Sequence, residues 1–213
     1  MFELGNMNPH DTETLLEHGY RHFGTQFFRP RCKTCNACTP YRININGFAM
    51  KKWQRRILNK RLLVKFELPD IEQAYDLYLL HKRKFSNFHA DSLDDFAASF
   101  FIPYEGHGCL AVYSNDVEKG RLLAVCHYDE MPASLSAIYT YYNYIDFPRF
   151  SLGSFAVLTL IQTAIAHGKE YVYLGYLLED HPHMGYKSRY VPAEILSENA
   201  YWIAYAKNDN ITQ

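Results

Sequence analysis

The sequence predicts an α/β (α+β) fold, in which a mixed sheet with flanking helices follows a small cysteine-containing N-terminal region. Two observations lead to this prediction. Strand candidates at 109–113, 121–128 and 135–143 follow one another closely, as in an antiparallel meander. An apolar helix candidate at 152–167 then leads into a strand candidate at 171–175. A meander followed by a strand–helix–strand crossover gives a sheet with both antiparallel and parallel neighbours.

Composition excludes several classes of protein. Hydrophobic residues make up 48% of the 213 residues, enough for a buried core and too many for a disordered chain. No apolar run reaches the length of a transmembrane helix, and the N-terminus lacks the basic start and apolar stretch of a secretory signal. The five cysteines are an odd number, which is typical of reduced thiols rather than a disulfide framework. We therefore expect a cytoplasmic protein without a membrane partner.

Charge divides the chain near residue 66. Residues 1–66 hold 12 Lys and Arg against 4 Asp and Glu, whereas residues 67–213 hold 10 against 19. We therefore expect two parts, a basic N-terminal region at 1–66 and a main domain at 67–213. The basic region predicts an anionic partner, with nucleic acid as the first candidate. The alternative is a solvated basic face that docks partly on the acidic domain.

The basic region has few regular elements by its local signals. A short helix is expected at 11–18, with Asp11 or Thr12 as its cap. Residues 27–48 contain two prolines, a glycine and three cysteines, and this composition indicates a loop with short strands.

Helix signals are clearest after the charge boundary. Residues 70–85 place apolar side chains on one face at helical spacing, with Asp70 as the N-cap and basic residues at the C-terminal end. Ser92 begins a capping-box pattern for a second helix.

The last half of the chain supplies the sheet and its crossover. Residues 116–120 form a plausible hairpin turn, Ser151 is expected to cap the apolar helix, and Gly168 is expected to end it. A final strand is expected at 201–205. This order of elements fits the acetyltransferase-like (GNAT-type) fold, which places its acyl donor where two strands splay beside the N-terminus of the crossover helix. A fold alone does not establish function.

The cysteine triplet is the sharpest local signal. Cys32, Cys35 and Cys38 follow two consecutive two-residue spacings, which suits a zinc ion or an iron–sulfur cluster. A fourth ligand is missing nearby, so Cys109, Cys126 or a histidine would have to supply it. The alternative is three reduced thiols that pack a tight turn.

Cations alternate with an aromatic side chain in the segment 51–61. Cations bind phosphates while an indole stacks on an unpaired base, and the acceptor end of a tRNA offers both. The alternative is an exposed amphipathic helix. The residues of this pattern are Lys51, Lys52, Trp53, Gln54, Arg55, Arg56, Lys60 and Arg61.

Two further stretches are candidates for binding or chemistry. Ser151 and Gly153 open the apolar helix, where free backbone amides attract an anion or a developing oxyanion. Their alternative role is an ordinary helix cap. Residues 173–190 follow a strand end with phenols, imidazoles and cations, and binding groups favour such places. The alternative there is a structured loop whose tyrosines pack on the sheet.

Four stretches carry a resemblance to a known family. They are GYRHFGTQFFRPRCKTCNACTPYRI (19–43), FAMKKWQRRILNK (48–60), LSAIYTYYN (135–143) and the long segment 151–196. In this order and at this length they resemble the arginyl-tRNA–protein transferases and their bacterial leucyl-transferring relatives, the aspartate/glutamate leucyltransferases. Two departures stand out. The 18 residues before Gly19 lack the cysteine-bearing segment that members use for a four-cysteine cluster, and the residues before Gln54 differ from the usual lead-in.

The resemblance implies an aminoacyltransferase with an acyltransferase-like catalytic domain at 67–213. The donor would be an arginyl- or leucyl-tRNA, and the acceptor would be the N-terminal α-amine of a protein or peptide with an acidic first residue, which is thereby marked for degradation. The chemistry itself requires no cofactor, with zinc or an iron–sulfur cluster at the triplet as the tentative exception. The expected catalytic residues are Tyr176, Tyr186 and Lys187, and the expected substrate- or tRNA-binding residues are Arg29, Trp53, Gln54, Arg55, Arg56, Ser151, Gly153 and Arg189.

Three other functions remain open on the sequence. The first is an acetyl-CoA-dependent N-acyltransferase, although the segment before the crossover helix has one glycine where such enzymes usually have a glycine-rich loop. The second is tRNA-dependent transfer to a small molecule or a biosynthetic peptide. The third is a non-catalytic tRNA-binding or metal-sensing protein. The oligomeric state is not predicted.

Overall fold

An eight-stranded mixed sheet forms the centre of the computed structural model, which describes residues 1–5, 7–85, 89–115 and 120–206. Its strand order is β11-β10-β4-β9-β8-β7-β6-β5, and a separate three-stranded sheet has the order β1-β3-β2. The strands are β1 (Phe2–Glu3), β2 (Arg21–Phe23), β3 (Gln26–Phe28), β4 (Thr39–Asn44), β5 (Leu62–Lys65), β6 (His107–Ser114), β7 (Leu122–Glu130), β8 (Ser134–Tyr142), β9 (Tyr171–Leu177), β10 (Ala193–Leu196) and β11 (Trp202–Ala204). The helices are α1 (Pro9–Glu17), α2 (Lys52–Leu58), α3 (Ile71–Lys82), α4 (Leu93–Phe100) and α5 (Leu152–Ala166).

Strands β8 and β9 are the parallel pair, and they separate part of the way along their length. Their backbones pair from Ser134 opposite Tyr171 to Ser136 opposite Tyr173. Beyond this point β8 continues to pair with β7 as far as Tyr142, and β9 continues to pair with β4 as far as Leu177. The predicted mixed sheet with a splayed crossover is therefore confirmed.

Helix α5 is the crossover between these two strands. Ten of its residues are buried against one face of the sheet, together with side chains of β6, β7, β9 and α2. With the preceding turn it is long and apolar enough to span a membrane, but burial in the core accounts for this composition. Helices α3 and α4 cover the opposite face, so the central strands are buried on both sides.

Several predicted caps can be compared with the structure. Asp70 and Ser92 cap α3 and α4 as expected, since their side chains accept hydrogen bonds from the amides of Gln73 and Asp95. For α1 the prediction was wrong: Asn8 is the cap, because Pro9 occupies the first helical position and starts the helix earlier.

The cap residue of α5 was predicted correctly, but its geometry is unusual. Ser151 occupies the N-cap position with a left-handed backbone, φ 53°, and its side chain makes no capping hydrogen bond. At the other end Gly168 has φ +65°, which favours glycine and ends the helix as predicted.

Two predictions about loops have different outcomes. Segment 39–44, expected within a loop with short strands, is the six-residue strand β4 between β9 and β10. Most of the predicted hairpin turn at 116–120 lies outside the described residues. The charge boundary at residue 66 does not follow an edge of the sheet, because β4 and β5 come from the basic region. The division into two domains remains a prediction from composition.

Candidate active site

The gap between β8 and β9 is filled by a side chain from the N-terminal region. Arg21, the first residue of β2, donates from Nη2 to the carbonyl oxygens of Ala137 at 3.0 Å and Ile138 at 2.5 Å. Gly175 on β9 leaves the room for this guanidinium, since a Cβ there would overlap it. Both carbonyls belong to the part of β8 that has lost its parallel partner, so Arg21 supplies the missing donors.

A buried ion pair holds the residue next to Arg21. His22 lies 2.9 Å through Nε2 from Oδ2 of Asp129, and both side chains are 2% exposed. The Tyr104 hydroxyl donates to the other carboxylate oxygen of Asp129 at 2.8 Å. Burial acts to lower the pKa of His22, but the charge and hydrogen bond of Asp129 outweigh it and raise that pKa above its usual value. The β2 strand is thereby fastened to β7 beside the splay.

A cavity of about 360 Å³ opens at the splayed end of β8 and β9. Its apolar lining includes Phe85, Ala137, Ile138, Val157, Leu174 and Pro182. Its polar and basic lining includes Arg21, His81, Lys84, Thr140, Tyr142, Ser154, His183, Tyr186 and Lys187. No Asp or Glu lines this cavity among the residues that the structure describes, so it is suited to a ligand with an anionic part.

Lys187 is the most perturbed amine of the cavity. It lies in a turn of 3-10 helix, Gly185–Arg189, and is 5% exposed. Its Nζ donates a hydrogen bond to the carbonyl oxygen of Tyr176. Burial, followed by the nearby Arg21 guanidinium, lowers the pKa of Lys187 to about 7. At neutral pH this amine is therefore able both to accept and to release a proton.

The N-terminus of α5 contributes backbone amides to the same cavity. Gly153 and Ser154 line it, and the first amides of a helix have no intrahelical acceptor. The ring of Tyr142 lies directly against Gly153, where an added Cβ would be 2.8 Å from Cε1 of the tyrosine. An oxyanion placed here would meet free donors and the positive end of the helix dipole.

The C-terminal end of α3 and the residues after it also line the cavity. His81 is buried, and burial lowers its pKa to about 4, with Lys84 and His183 adding to the effect. Its Nδ1 lies 3.3 Å from the carbonyl oxygen of Tyr142, so the neutral ring donates there. Lys84 donates from Nζ to the hydroxyl of Tyr142 at 3.0 Å.

The cavity brings together three of the residues predicted from the sequence, Gly153, Tyr186 and Lys187. Tyr176 is adjacent but turned away, because its hydroxyl donates to the carbonyl oxygen of Gly19 at 2.8 Å. Burial raises the pKa of Tyr176 to about 12, so the phenol stays protonated. In the structure Tyr176 contributes its backbone carbonyl, which accepts from Lys187.

The other predicted binding residues lie outside the cavity. Arg189 is exposed and stacks over the ring of Trp53 at 4.5 Å. Gln54 is buried and caps the start of α2 by accepting from the amide of Lys51 at 2.7 Å. Arg55 and Arg56 are exposed on α2, Ser151 is exposed at the start of α5, and Arg29 is exposed and donates to the carbonyl oxygen of His18.

The cysteine triplet does not form a metal site in the described residues. Cys32 and Cys35 are exposed and face each other in an isolated β-bridge. Cys38 is half-buried, and burial, followed by the two neighbouring thiols, raises its pKa. The described part of the chain contains no group of three or more His, Cys, Asp or Glu side chains that could hold a metal ion. The expected zinc or iron–sulfur ligand set is therefore not supported by this geometry.

Sequence reasoning missed most of the lining residues, and the polar ones among them include Arg21, His81, Lys84 and Tyr142. Arg21 and Tyr142 lie inside stretches that resemble the family, but nothing local distinguishes them. His81 lies in the last turn of α3 and Lys84 directly follows this helix, where basic residues are expected for the helix dipole alone. Only their convergence in space indicates a site.

Comparison with known proteins places these features in a family. Residues 1–56 match the N-terminal part of the arginine-tRNA-protein transferases, and residues 71–197 match the C-terminal part. An aspartate/glutamate leucyltransferase from Pseudomonas putida is 38% identical over 205 residues, covering 92% of this chain and 84% of that protein. One from Granulibacter bethesdensis is 34% identical over 201 residues, covering 90% and 74%.

Solved structures with the same fold are distant in sequence. FemX has a TM-score of 0.53 at 11% identity, covering 80% of this chain and 60% of its own. The C-terminal domain of a putative lysylphosphatidylglycerol synthetase from Agrobacterium fabrum has a TM-score of 0.51 at 13% identity, covering 68% and 47%. These similarities support the acyltransferase-like fold and nothing finer.

Proposed function

Because the chain belongs to the arginine-tRNA-protein transferase family, we propose that this aminoacyltransferase moves leucine from a charged tRNA to the N-terminal α-amine of a protein whose first residue is acidic. The similar proteins named aspartate/glutamate leucyltransferase favour leucine as the donor. The lining of the cavity supports that choice, since its apolar residues suit a leucine side chain and no carboxylate for an arginine lines it among the described residues.

One observation carries the proposal: an amine with a pKa near 7 and the free amides of a helix N-terminus line a single cavity. The acceptor α-amine, which has a free pKa of about 8, must lose a proton before it attacks. Neutral Lys187 takes that proton.

The transfer itself is the aminolysis of an ester. The amine nitrogen bonds to the aminoacyl carbonyl carbon, and the carbonyl oxygen becomes an oxyanion beside the amides of Gly153 and Ser154. When the tetrahedral intermediate collapses, the bond to the ribose oxygen breaks. That oxygen leaves as a hydroxyl after it receives a proton, and the new peptide nitrogen loses its second proton. Protonated Lys187 returns the proton it took to the ribose oxygen, and it then accepts the proton that the peptide nitrogen releases and passes it to solvent.

The donor tRNA is proposed to lie across the basic region. Arg55 and Arg56 are exposed on α2, and Trp53 and Arg189 form a stacked pair next to it. Exposed cations suit the tRNA phosphates, and a stacked indole suits an unpaired base of the acceptor end. The proposal thus assigns tRNA binding to Trp53, Arg55, Arg56 and Arg189, which lie outside the cavity.

The position of Arg21 argues against acetyl-CoA as the donor. This fold is expected to place an acyl donor where the two central strands splay. Here Arg21 already donates to the carbonyls of Ala137 and Ile138.

The transferred leucine would act as a degradation signal in the cytoplasm, where charged tRNA is made.

The test is a transfer assay with labelled Leu-tRNA, Arg-tRNA and acetyl-CoA, each offered to peptides that begin with Asp, Glu, Asn or Ala. We expect label from Leu-tRNA on the Asp and Glu peptides, and a large loss with Lys187→Met. Transfer from acetyl-CoA alone would overturn the proposal. Transfer from Leu-tRNA to a small amine but to no peptide would support Leu-tRNA as the donor. It would also show that the acceptor is a small molecule rather than a protein.

A further inference from the structure

One cation of the cavity has no role in the chemistry described so far. Lys84 follows α3 and lines the cavity, and its ammonium donates to the hydroxyl of Tyr142 at 3.0 Å. In the described part of the chain, no carboxylate lies within ion-pair distance of Lys84. An ammonium has three donors, so two remain for a ligand.

The other cations near the cavity are already committed. The Arg21 guanidinium donates to two β8 carbonyls, and Lys187 donates to the carbonyl oxygen of Tyr176. Arg189, predicted from the sequence to bind substrate or tRNA, lies over Trp53 outside the cavity. His81 is buried and, with its low pKa, neutral at pH 7.

We propose that Lys84, positioned by the hydroxyl of Tyr142, binds the side-chain carboxylate of the acceptor's first residue and so determines acceptor choice. This inference rests on the proposed function and names the residue that reads the acceptor.

Tyr142 connects this site to the reaction centre. Its ring lies against Gly153 at the start of α5, and the ring of His81 contacts it at a centroid distance of 4.6 Å. The tyrosine is therefore held between α3 and α5, with Lys84 on its hydroxyl and Gly153 against its ring. Because Lys84 and the start of α5 line one cavity, a carboxylate on Lys84 and an α-amine near Gly153 can belong to one acceptor residue.

The choice of lysine also suits two acceptors of different length. A guanidinium binds a carboxylate in a fixed bidentate geometry, whereas an ammonium on a flexible stem acts as a point charge. Lys84 can therefore reach the carboxylate of either Asp or Glu.

The experiment measures kcat/KM for Leu transfer to Asp-, Asn- and Lys-initiated peptides, together with the Kd for Leu-tRNA. For Lys84→Met we expect a fall of about ten- to a hundredfold with the Asp peptide, since a charge-assisted hydrogen bond is lost. The Asn peptide and the Kd for Leu-tRNA should change little. Lys84→Glu should transfer to the Lys peptide faster than to the Asp peptide.

Two further variants complete the design. Lys82→Met is the matched control, because Lys82 pairs with Asp91 at 3.1 Å and does not line the cavity; its peptide preference should equal that of the parent. Lys84→Arg keeps the charge and should keep most of the Asp-over-Asn preference. Lys84→Arg also tests the inference if Lys84→Met does not fold. If Lys84→Arg transferred leucine to the Asp and Asn peptides at equal rates, the inference would be contradicted.

Other outcomes separate this inference from the proposed function. Equal losses on all three peptides, with weaker tRNA binding, would assign Lys84 to a tRNA phosphate and overturn the inference. An unchanged Asp-over-Asn ratio in Lys84→Met would also overturn it, while an active parent enzyme would leave the proposed function intact. A parent enzyme that transfers no leucine from tRNA to any peptide would instead refute the proposed function.

Discussion

Arg21 and Gly175 share one space in the splayed part of the sheet. The guanidinium of Arg21 lies where a Cβ on Gly175 would be, and the backbone of Gly175 has φ +75°. Glycine is needed there for both reasons, since other residues rarely adopt this conformation and any side chain would displace the arginine. Arg21 and Gly175 together therefore occupy part of the gap between β8 and β9.

Gly175→Ala should therefore reduce activity through Arg21. The methyl group displaces the guanidinium from the carbonyls of Ala137 and Ile138, so we expect kcat/KM for leucine transfer to fall at least about tenfold. Gly168→Ala is the matched control, because Gly168 also has a positive φ of +65° but no atom lies within 4 Å of its added Cβ. Both variants should lose about 1 kcal/mol of unfolding free energy from the backbone alone. Equal activities in the two variants would contradict the assignment.

Lys187→Met should raise stability while it abolishes transfer. The pKa of Lys187 is about 7 in the folded protein against an ordinary 10.5, so between these values the unfolded chain holds a proton that the folded protein lacks. The parent's unfolding free energy therefore rises with pH in this window, by about 1.4 kcal/mol per unit for a single group. The advantage of Lys187→Met should be largest below pH 7 and should shrink toward pH 10. Denaturant unfolding of both proteins across this range measures it, and a constant difference would count against the buried amine.

Asp129→Asn should destabilise the protein more in acid than in base. The pKa of His22 is raised in the folded protein by Asp129, so the stabilisation is fully present below pH 6.5 and is lost as the pH rises through the folded value. Breaking a buried pair costs about 3–5 kcal/mol, and thermal unfolding at pH 6 and pH 9 should show the larger loss at pH 6. Tyr104→Phe removes a different hydrogen bond to the same carboxylate, and its cost should be similar at both pH values.

The double variant Arg55→Gln with Arg56→Gln should weaken tRNA binding and its salt dependence together. Both side chains are exposed on α2, so fold stability should change little. If both contact phosphates, the slope of log K against log salt should become shallower by roughly 1.5. Lys65→Gln is the control, because Lys65 is also an exposed cation but pairs with Glu67 at 3.1 Å. A slope that the double variant leaves unchanged would exclude this face as the tRNA surface.

Sequence patterns predicted the elements whose signals are local. The capped helix at Asp70, the apolar helix that ends at Gly168 and the meander of β6, β7 and β8 were all identified from neighbouring residues. Strand β4 was missed as a sheet strand because its neighbours in the chain, prolines and cysteines, indicate a loop. Its hydrogen-bonding partners, β9 and β10, lie more than a hundred residues later, so no local pattern records them.

What the sequence determined by itself is the class of fold, the order of the elements from α3 to β9 and the family, because periodicity, caps and long motifs are properties of consecutive residues. What the tertiary structure decided is the site. Arg21 meets Ala137 across 116 positions of the chain, and Lys84 meets Tyr142 across 58. The lowered pKa of Lys187 likewise depends on burial and on Arg21, and the residues next to Lys187 in the sequence indicate neither cause. A side chain's partners and dielectric surroundings exist only after distant segments have packed together, and these surroundings determine which cations can act on a substrate.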